Sequence, residues 1–380
     1  MKVVVDRKDM ENGIVTAAKA VNPKSPLPIL SHILVRAEGD MLRFSATDLE
    51  MVVECQVRAH VLEPGAFTAP ARLLQEIVTQ LPEAEVSLAL AGPQIELRTR
   101  SSEFKINTLS AEEFPVLPEA EGAPTLVLPQ ELFREMVRGV LFAVAPSEET
   151  RVILTGVLTQ IDGERATFVA TDGRRLARVQ KHLVTEAGVS TYRAIIPQRA
   201  MNELTRLLHD TTEPLQVTPA AGQVFFRFGS VTLVARLLEE GRFPDCETII
   251  PRSFTRTITV HREQFLGAVR RALIMAQEKD APRLLKLDIE ANEIAVRSNT
   301  PDLGAACERV PARLDGEPIT IAFNGRYLQD ALTNLVGEEV AVNLNDPLSM
   351  GMVCPVANQD YVYLIMPVRI KDPVPVAAGV

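Results

Sequence analysis

Long apolar runs are missing from this sequence. None reaches the roughly 18 residues that a membrane-crossing helix needs. No apolar leader with a small-residue cleavage site opens the chain, so neither a membrane-spanning nor a secreted protein is expected. Cysteine is scarce. Cys55, Cys246, Cys307 and Cys354 lie tens of residues apart with no C-x-x-C pair, a pattern that excludes a disulfide framework and a zinc site and fits a reducing cytoplasm. The five histidines (His32, His60, His182, His209 and His261) are scattered, none at metal-ligand spacing from another. G-x-G-x-x-G, G-x-x-x-x-G-K-[ST], H-E-x-x-H and G-x-S-x-G are all absent, so no nucleotide loop, metalloprotease helix or nucleophile elbow is expected. A basic surplus is lacking too. With 40 Lys and Arg against 49 Asp and Glu the formal charge is −9, which argues against a globally basic nucleic-acid binder.

What the chain does have is repetition. At 380 residues it has room for two or three domains, and 46% hydrophobic with 23% charged residues is an ordinary globular composition. Phe67-Thr68-Ala69-Pro70-Ala71-Arg72, Ala194-Ile195-Ile196-Pro197-Gln198-Arg199 and Ile321-Ala322-Phe323-Asn324-Gly325-Arg326 each lead into an apolar helical pattern, and positions 70, 197 and 324 are 127 residues apart. Glu113-Phe114-Pro115 and Arg242-Phe243-Pro244 are spaced 129, and Ala46-Thr47-Asp48 and Ala170-Thr171-Asp172 are spaced 124, with a weaker third copy at Val296–Leu303. Three landmarks at one period identify three copies of one domain. The expected bounds are 1–122, 123–252 and 253–370, followed by a flexible Pro/Ala/Val tail at 371–380.

Each copy opens with a short β-rich segment and a helix, such as the stripe Leu132, Met136, Val137, Val140, Leu141 and Val144. Two or three strands follow, then a second helix opened at Pro70 or Pro197, then closing strands such as Val224–Phe228 and Val231–Leu237 around a Gly229-Ser230 turn. The fold class is therefore α+β, three repeated domains of two helices packed on antiparallel sheet. Asp48, Asp172 and Asp302 recur and could be imagined as a carboxylate set. Thr-Asp and Asp-Gly at strand ends are better read as turn chemistry. The six helical windows 7–20, 71–81, 130–144, 198–208, 262–275 and 325–336 carry 12 basic against 8 acidic residues, while the remainder carries 28 against 41. Helices facing a polyanion would need that segregation, and surface helices that simply favour Arg and Lys would show it as well.

Pro26-Leu27-Pro28-Ile29-Leu30, Ala170-Thr171-Asp172-Gly173 with Arg175-Leu176, Gly241-Arg242-Phe243-Pro244-Asp245 and Met366-Pro367-Val368-Arg369 occur in order along the chain. Together they resemble the bacterial DNA polymerase sliding clamp, the beta subunit of DNA polymerase III. The resemblance spans residues 1 to about 370. It implies a DNA clamp fold in a head-to-tail dimeric ring that holds duplex DNA without reading sequence, and no catalysis, metal or cofactor of its own. The implied partners are duplex DNA, a second copy of the chain, and the replicative polymerase, clamp loader and repair proteins, which dock through hydrophobic linear motifs. The alternative is a three-repeat peptide-binding scaffold that does not encircle DNA.

The resemblance also implies sites. DNA contact falls to Lys24, Arg72, Arg199 and Arg206. The family's polar and aromatic DNA loop reads Ser147-Glu148-Glu149-Thr150-Arg151-Val152-Ile153 here. A peptide pocket is expected from Arg151, Leu154, Thr171, Gly173, Arg174, Arg175, Leu176, Pro244 and Ile249, with Met350, Leu364, Met366, Pro367, Val368 and Arg369 from the C-terminal end. Leu and Met suit an apolar anchor, and the arginines suit a peptide's polar atoms. Arg174 stands where the family usually has histidine.

Overall fold

The computed structural model describes residues 1–82, 84–119, 126–183, 191–239, 241–276, 283–301, 303–358 and 360–369. The expected boundary at 122/123, the tail at 371–380 and Asp302 fall outside them. The first repeat runs β1 (Lys2–Asp6), α1 (Arg7–Ala17), β2 (His32–Glu38), β3 (Met41–Thr47), β4 (Met51–Arg58), β5 (His60–Glu63), β6 (Gly65–Pro70), α2 (Ala71–Gln80), β7 (Glu85–Ala91), β8 (Gln94–Arg98) and β9 (Glu103–Asn107). The second runs β10 (Leu126–Pro129), α3 (Gln130–Leu141), β11 (Gly156–Asp162), β12 (Arg165–Thr171), β13 (Arg175–His182), β14 (Tyr192–Pro197), α4 (Gln198–Leu207), β15 (Pro214–Ala220), β16 (Gln223–Phe228) and β17 (Val231–Arg236), then a one-turn α5 (Cys246–Ile249). The third runs β18 (Arg256–His261), α6 (Arg262–Met275), β19 (Leu284–Ile289), β20 (Glu293–Thr300), β21 (Gly304–Asp315), β22 (Ile319–Asn324), α7 (Gly325–Asn334), β23 (Glu339–Leu344), β24 (Gly351–Pro355) and β25 (Tyr361–Ile365).

Between the two helices the strands number five in the first repeat and four in the others, more than the two or three the pattern suggested. The extra strand, β6, β14 or β22, runs into the following helix with no intervening turn, so its apolar residues read as a helix lead-in. Local chemistry starts the helices. Asp6 caps α1 through Lys8 N (2.8 Å) and Asp9 N (3.3 Å), and Asn324 caps α7 through Arg326 N (3.1 Å). The α3 stripe buries Phe133 edge-on against Phe226, ring centroids 5.5 Å apart. Gly13 is required by packing, because a Cβ there would lie 2.3 Å from the Phe44 ring.

All sheet pairing is antiparallel, and the sheets cross the repeat boundaries. One eight-stranded sheet has the order β10-β15-β16-β17-β4-β3-β2-β6, joined at β4–β17. A twelve-stranded sheet has the order β14-β11-β12-β13-β25-β24-β23-β18-β21-β20-β19-β22, joined at β13–β25. A five-stranded sheet, β5-β1-β7-β8-β9, ends at β9. The chain divides into two compact units. One holds the described residues of 1–134 and 199–239, the other those of 135–184, 191–198 and 240–380. The second repeat is thus shared between them.

Candidate functional site: an apolar cleft at a strand turn

The turn after β12 is built by its own side chains. Thr171 Oγ1 donates to Arg175 O (2.6 Å) and accepts from Gly173 N (3.1 Å), while Asp172 Oδ1 accepts from Arg174 N (2.8 Å) and Arg175 N (2.9 Å). The first repeat makes the same turn. Thr47 Oγ1 donates to Met51 O (2.8 Å) and accepts from Leu49 N (3.0 Å), and Asp48 Oδ1 accepts from Glu50 N (3.0 Å) and Met51 N (2.7 Å). Asp48 and Asp172 are turn residues, as their sequence context indicated. Register through β19 and β22 puts Thr300, and not Asp302, at the equivalent place in the third repeat. The turn needs a left-handed residue. Gly173 supplies φ 84 without strain, whereas the first repeat forces Leu49 to φ 78 and leaves it 53% exposed.

Beside the Gly173 turn opens a small cleft of about 100 Å³, lined by Thr171, Gly173, Arg174, Arg175, Leu176, Pro244, Ile249, Met350, Leu364, Ile365 and Met366. Leu176 and Leu364 pair directly across β13–β25 and form a buried floor. Met366 N donates to Arg174 O (2.9 Å), extending that pairing past β25 and leaving the Met366 side chain half exposed at the mouth. Ten of the expected pocket residues meet here. Ile365 joins them; its alternation with Leu364 hid it among core residues.

The other five sit elsewhere. Leu154 is buried and does not line the cleft. Arg151 stands over the turn, with its Nη2 2.8 Å from where a Cβ on residue 173 would lie, and it binds Glu149 (3.1 Å). That hydrogen bond holds the Glu149 carboxyl below its usual range. Pro367, Val368 and Arg369 run away from the cleft, Val368 N donating to Ala322 O (2.8 Å).

Arg175 differs from expectation. Its guanidinium is consumed by the protein itself, with Nε on Asp172 Oδ2 (3.0 Å), Nη1 on Asp330 Oδ2 (2.6 Å), and the Tyr327 ring centroid 4.3 Å away. The side chain is 10% exposed. Burial opposes its charge, but nearby Tyr363, Asp330 and Asp172 favour it and hold it above its ordinary pKa. Arg175 therefore shapes the wall of the cleft, and Arg174, exposed at the rim, is the arginine available to a ligand.

The four basic candidates all belong to the first compact unit. Lys24 is exposed in its loop. Arg72 is 92% exposed and pairs with Glu76 (2.8 Å), Arg206 pairs with Glu203 (2.6 Å), and Arg199 pairs with Asp48. They share no hydrogen bond or ion pair with one another among the described residues. There too, no three His, Cys, Asp or Glu side chains converge as a metal site, and no helix is long and apolar enough to cross a membrane.

Three repeats on continuous antiparallel sheets, with an apolar cleft at one repeat junction, define a clamp-fold protein. Family comparison agrees repeat by repeat. Residues 1–118, 127–245 and 247–369 match the N-terminal, central and C-terminal domains of the DNA polymerase III beta subunit. The chain is 32% identical to the beta sliding clamp of Synechocystis over 98% of its length and all of that protein, and 30% identical to that of Bacillus subtilis over 97%. The solved Bacillus subtilis DNA polymerase sliding clamp superposes with a TM-score of 0.93 at 30% identity, covering 98% of this chain and all of that one. A Pseudomonas aeruginosa sliding clamp bound to griselimycin gives 0.90 at 29% identity, covering 97% of this chain and all of that one. The chain belongs to the DNA polymerase III beta subunit family, the bacterial sliding clamps. It is a non-catalytic clamp and not an enzyme.

Proposed function

We propose that two copies of this chain close head to tail into a ring that encircles duplex DNA in the cytoplasm without reading its sequence. The ring tethers the replicative polymerase, clamp loader and repair proteins, and the repeats at 1–122, 123–252 and 253–370 are its six domains. The observation carrying this reading is an incomplete set of junctions. β4 pairs with β17 and β13 with β25, yet their third-repeat counterpart, the Gly304–Pro311 part of β21, has β20 on one side only among the described residues. The counterpart of β17 and β25 is β9, a sheet edge. Following the ladders through each repeat puts Phe104 in the place of Leu233 and Tyr363, and Ala306 in that of Val53 and Ala177. Leu233 and Tyr363 are fully buried, but Phe104 is 37% exposed. A partner's β21 would cover it, and such a heterologous contact closes after two copies.

In this reading the same register would bring Cys307 opposite Glu103 of a second protomer. A dimer of twice 41.7 kDa is expected in solution, with Glu103→Cys cross-linking to the native Cys307 through a short bismaleimide. A monomer, or no cross-link, would remove this arrangement.

DNA contact is diffuse in this reading. Phosphates must compete with Glu76, Glu203 and Asp48 for Arg72, Arg206 and Arg199, which keeps attraction weak and strongly salt-dependent, as sliding requires. The closed protein should stay on circular DNA and slide off linear ends. A peptide scaffold that does not encircle DNA would show no difference. The Leu176–Leu364 cleft receives the hydrophobic linear motif of partner proteins, its apolar floor taking a Leu or Phe anchor.

A further inference from the structure

The first compact unit contains a second, larger cavity, of about 790 Å³, under the segment that leaves the first repeat. Its plan is that of the Leu176 cleft. Val52 pairs with Val234 across β4–β17 as Leu176 pairs with Leu364, and Pro115 overhangs it as Pro244 overhangs the other. Its floor differs in chemistry. Along the strand that floors the Leu176 cleft, Arg178 is matched by Glu247 (2.8 Å), whereas this larger cavity has Arg36, Arg43 and Arg227 over five adjacent strands.

Arg36 and Arg43 face each other as a cross-strand pair, an arrangement that costs stability because like charges meet. Only Arg43 has relief, from Glu54 (3.4 Å), and that carboxylate already accepts from Ser45 (3.1 Å) and Gln56 (3.2 Å). Arg36 and Arg227 form no ion pair among the described residues. Glu119 at the rim forms none with them. Between the charges lie Val52, Val234 and Phe225, under a roof of Phe114 and Pro115. Arg36 on β2 and Arg227 on β16 are four strand spacings apart, about 19 Å. An extended chain covers that in about six residues.

We propose that this trough is a second docking site, for an extended peptide segment of a partner protein with acidic residues near both ends and apolar residues between. The peptide's carboxylates neutralise Arg36 and Arg227, and its apolar centre lies on the valines under the roof. A small anion would engage one end only, and the length of the trough favours a peptide. The site shares no residue with the Leu176 cleft and does not depend on its reading.

The test uses the full chain and a fluorescein-labelled peptide with paired glutamates at each end around a Leu-Val centre, followed by anisotropy. Saturable binding weakened by salt is expected. It should fall about tenfold in Arg36→Ala with Arg227→Ala, two exposed or partly exposed side chains whose loss leaves no buried partner. Leu176→Ala should leave it unchanged, and the double variant should keep its affinity for a hydrophobic motif peptide. Three outcomes would overturn the proposal: no saturation by about 1 mM, equal binding of the glutamine analogue, or complete competition by oligothymidylate at matched charge, which would mark a general polyanion surface.

Discussion

Replacing Arg175 by methionine keeps the aliphatic stem and removes the guanidinium that ties the Gly173 turn to α7. The magnitude follows from its contacts. The bond to Asp172 is charge-assisted and largely buried, so about 2 kcal/mol is appropriate. The bond to Asp330, whose side chain is 40% exposed, is discounted to about 1 kcal/mol. The Tyr327 ring at 4.3 Å adds about 1 kcal/mol. Against this gross loss of about 4 kcal/mol, the variant no longer desolvates a guanidinium, which returns roughly 1–2 kcal/mol. Asp172 is not orphaned, because the backbone N–H groups of residues 174 and 175 still donate to it. The net destabilisation is about 2–3 kcal/mol, or a melting drop of about 5–10 °C for a unit of this size. Urea unfolding monitored by circular dichroism measures it, with Asp330→Asn completing a double-mutant cycle. Asp330→Asn alone should cost less than Arg175→Met, and its cost should nearly vanish in the Arg175→Met background. A change below about 0.5 kcal/mol in Arg175→Met would refute the view that this guanidinium is structural.

Other outcomes follow from single positions. Gly13→Ala drives a Cβ into the Phe44 ring and should cost about 1–3 kcal/mol, read as a lowered urea midpoint. Leu176→Ala with Met366→Ala should weaken a hydrophobic clamp-binding peptide at least about tenfold by anisotropy while leaving the oligomer mass unchanged. Burial raises the Cys246 thiol from 9.0 to about 11, so Ellman's reagent at neutral pH should reach Cys307 of dissociated protomers long before Cys246. Because the folded pKa lies above the unfolded one, the unfolded chain loses that proton first, and stability from this group should fall as pH rises from 9 to about 11. A Cys246→Ser variant should flatten that part of the stability curve.

The repeat was legible because a fold copied within one chain copies its turns. Thr47-Asp48 and Thr171-Asp172 make the same hydrogen bonds 124 residues apart, so the strings marked real structural equivalence. The third copy was misaligned because its turn is longer, and a register set by β19 and β22 cannot be read from one strand's residues. The pocket residues came from the resemblance, which carried them over by alignment, and their types suited an apolar anchor; the geometry brings ten of them together beside Gly173. The role of Arg175 was not legible, since its partners Tyr327 and Asp330 lie more than 150 residues downstream and only packing brings them near. The Arg36–Arg43 pairing was equally hidden, because adjacency across β2–β3 depends on hairpin register.

The sharing of the second repeat between two compact units sets how the molecule can be dissected. Sequence repetition and compact packing are out of phase by half a repeat. A fragment cut at a repeat boundary would strip β17 from β4, or β25 from β13, and bare a long edge inside what is now a continuous sheet. Such a fragment invites pairing with copies of itself. Swapping the second repeat between relatives would replace part of both compact units at once, so grafts along the seams of the compact units should tolerate exchange better than a graft of that repeat.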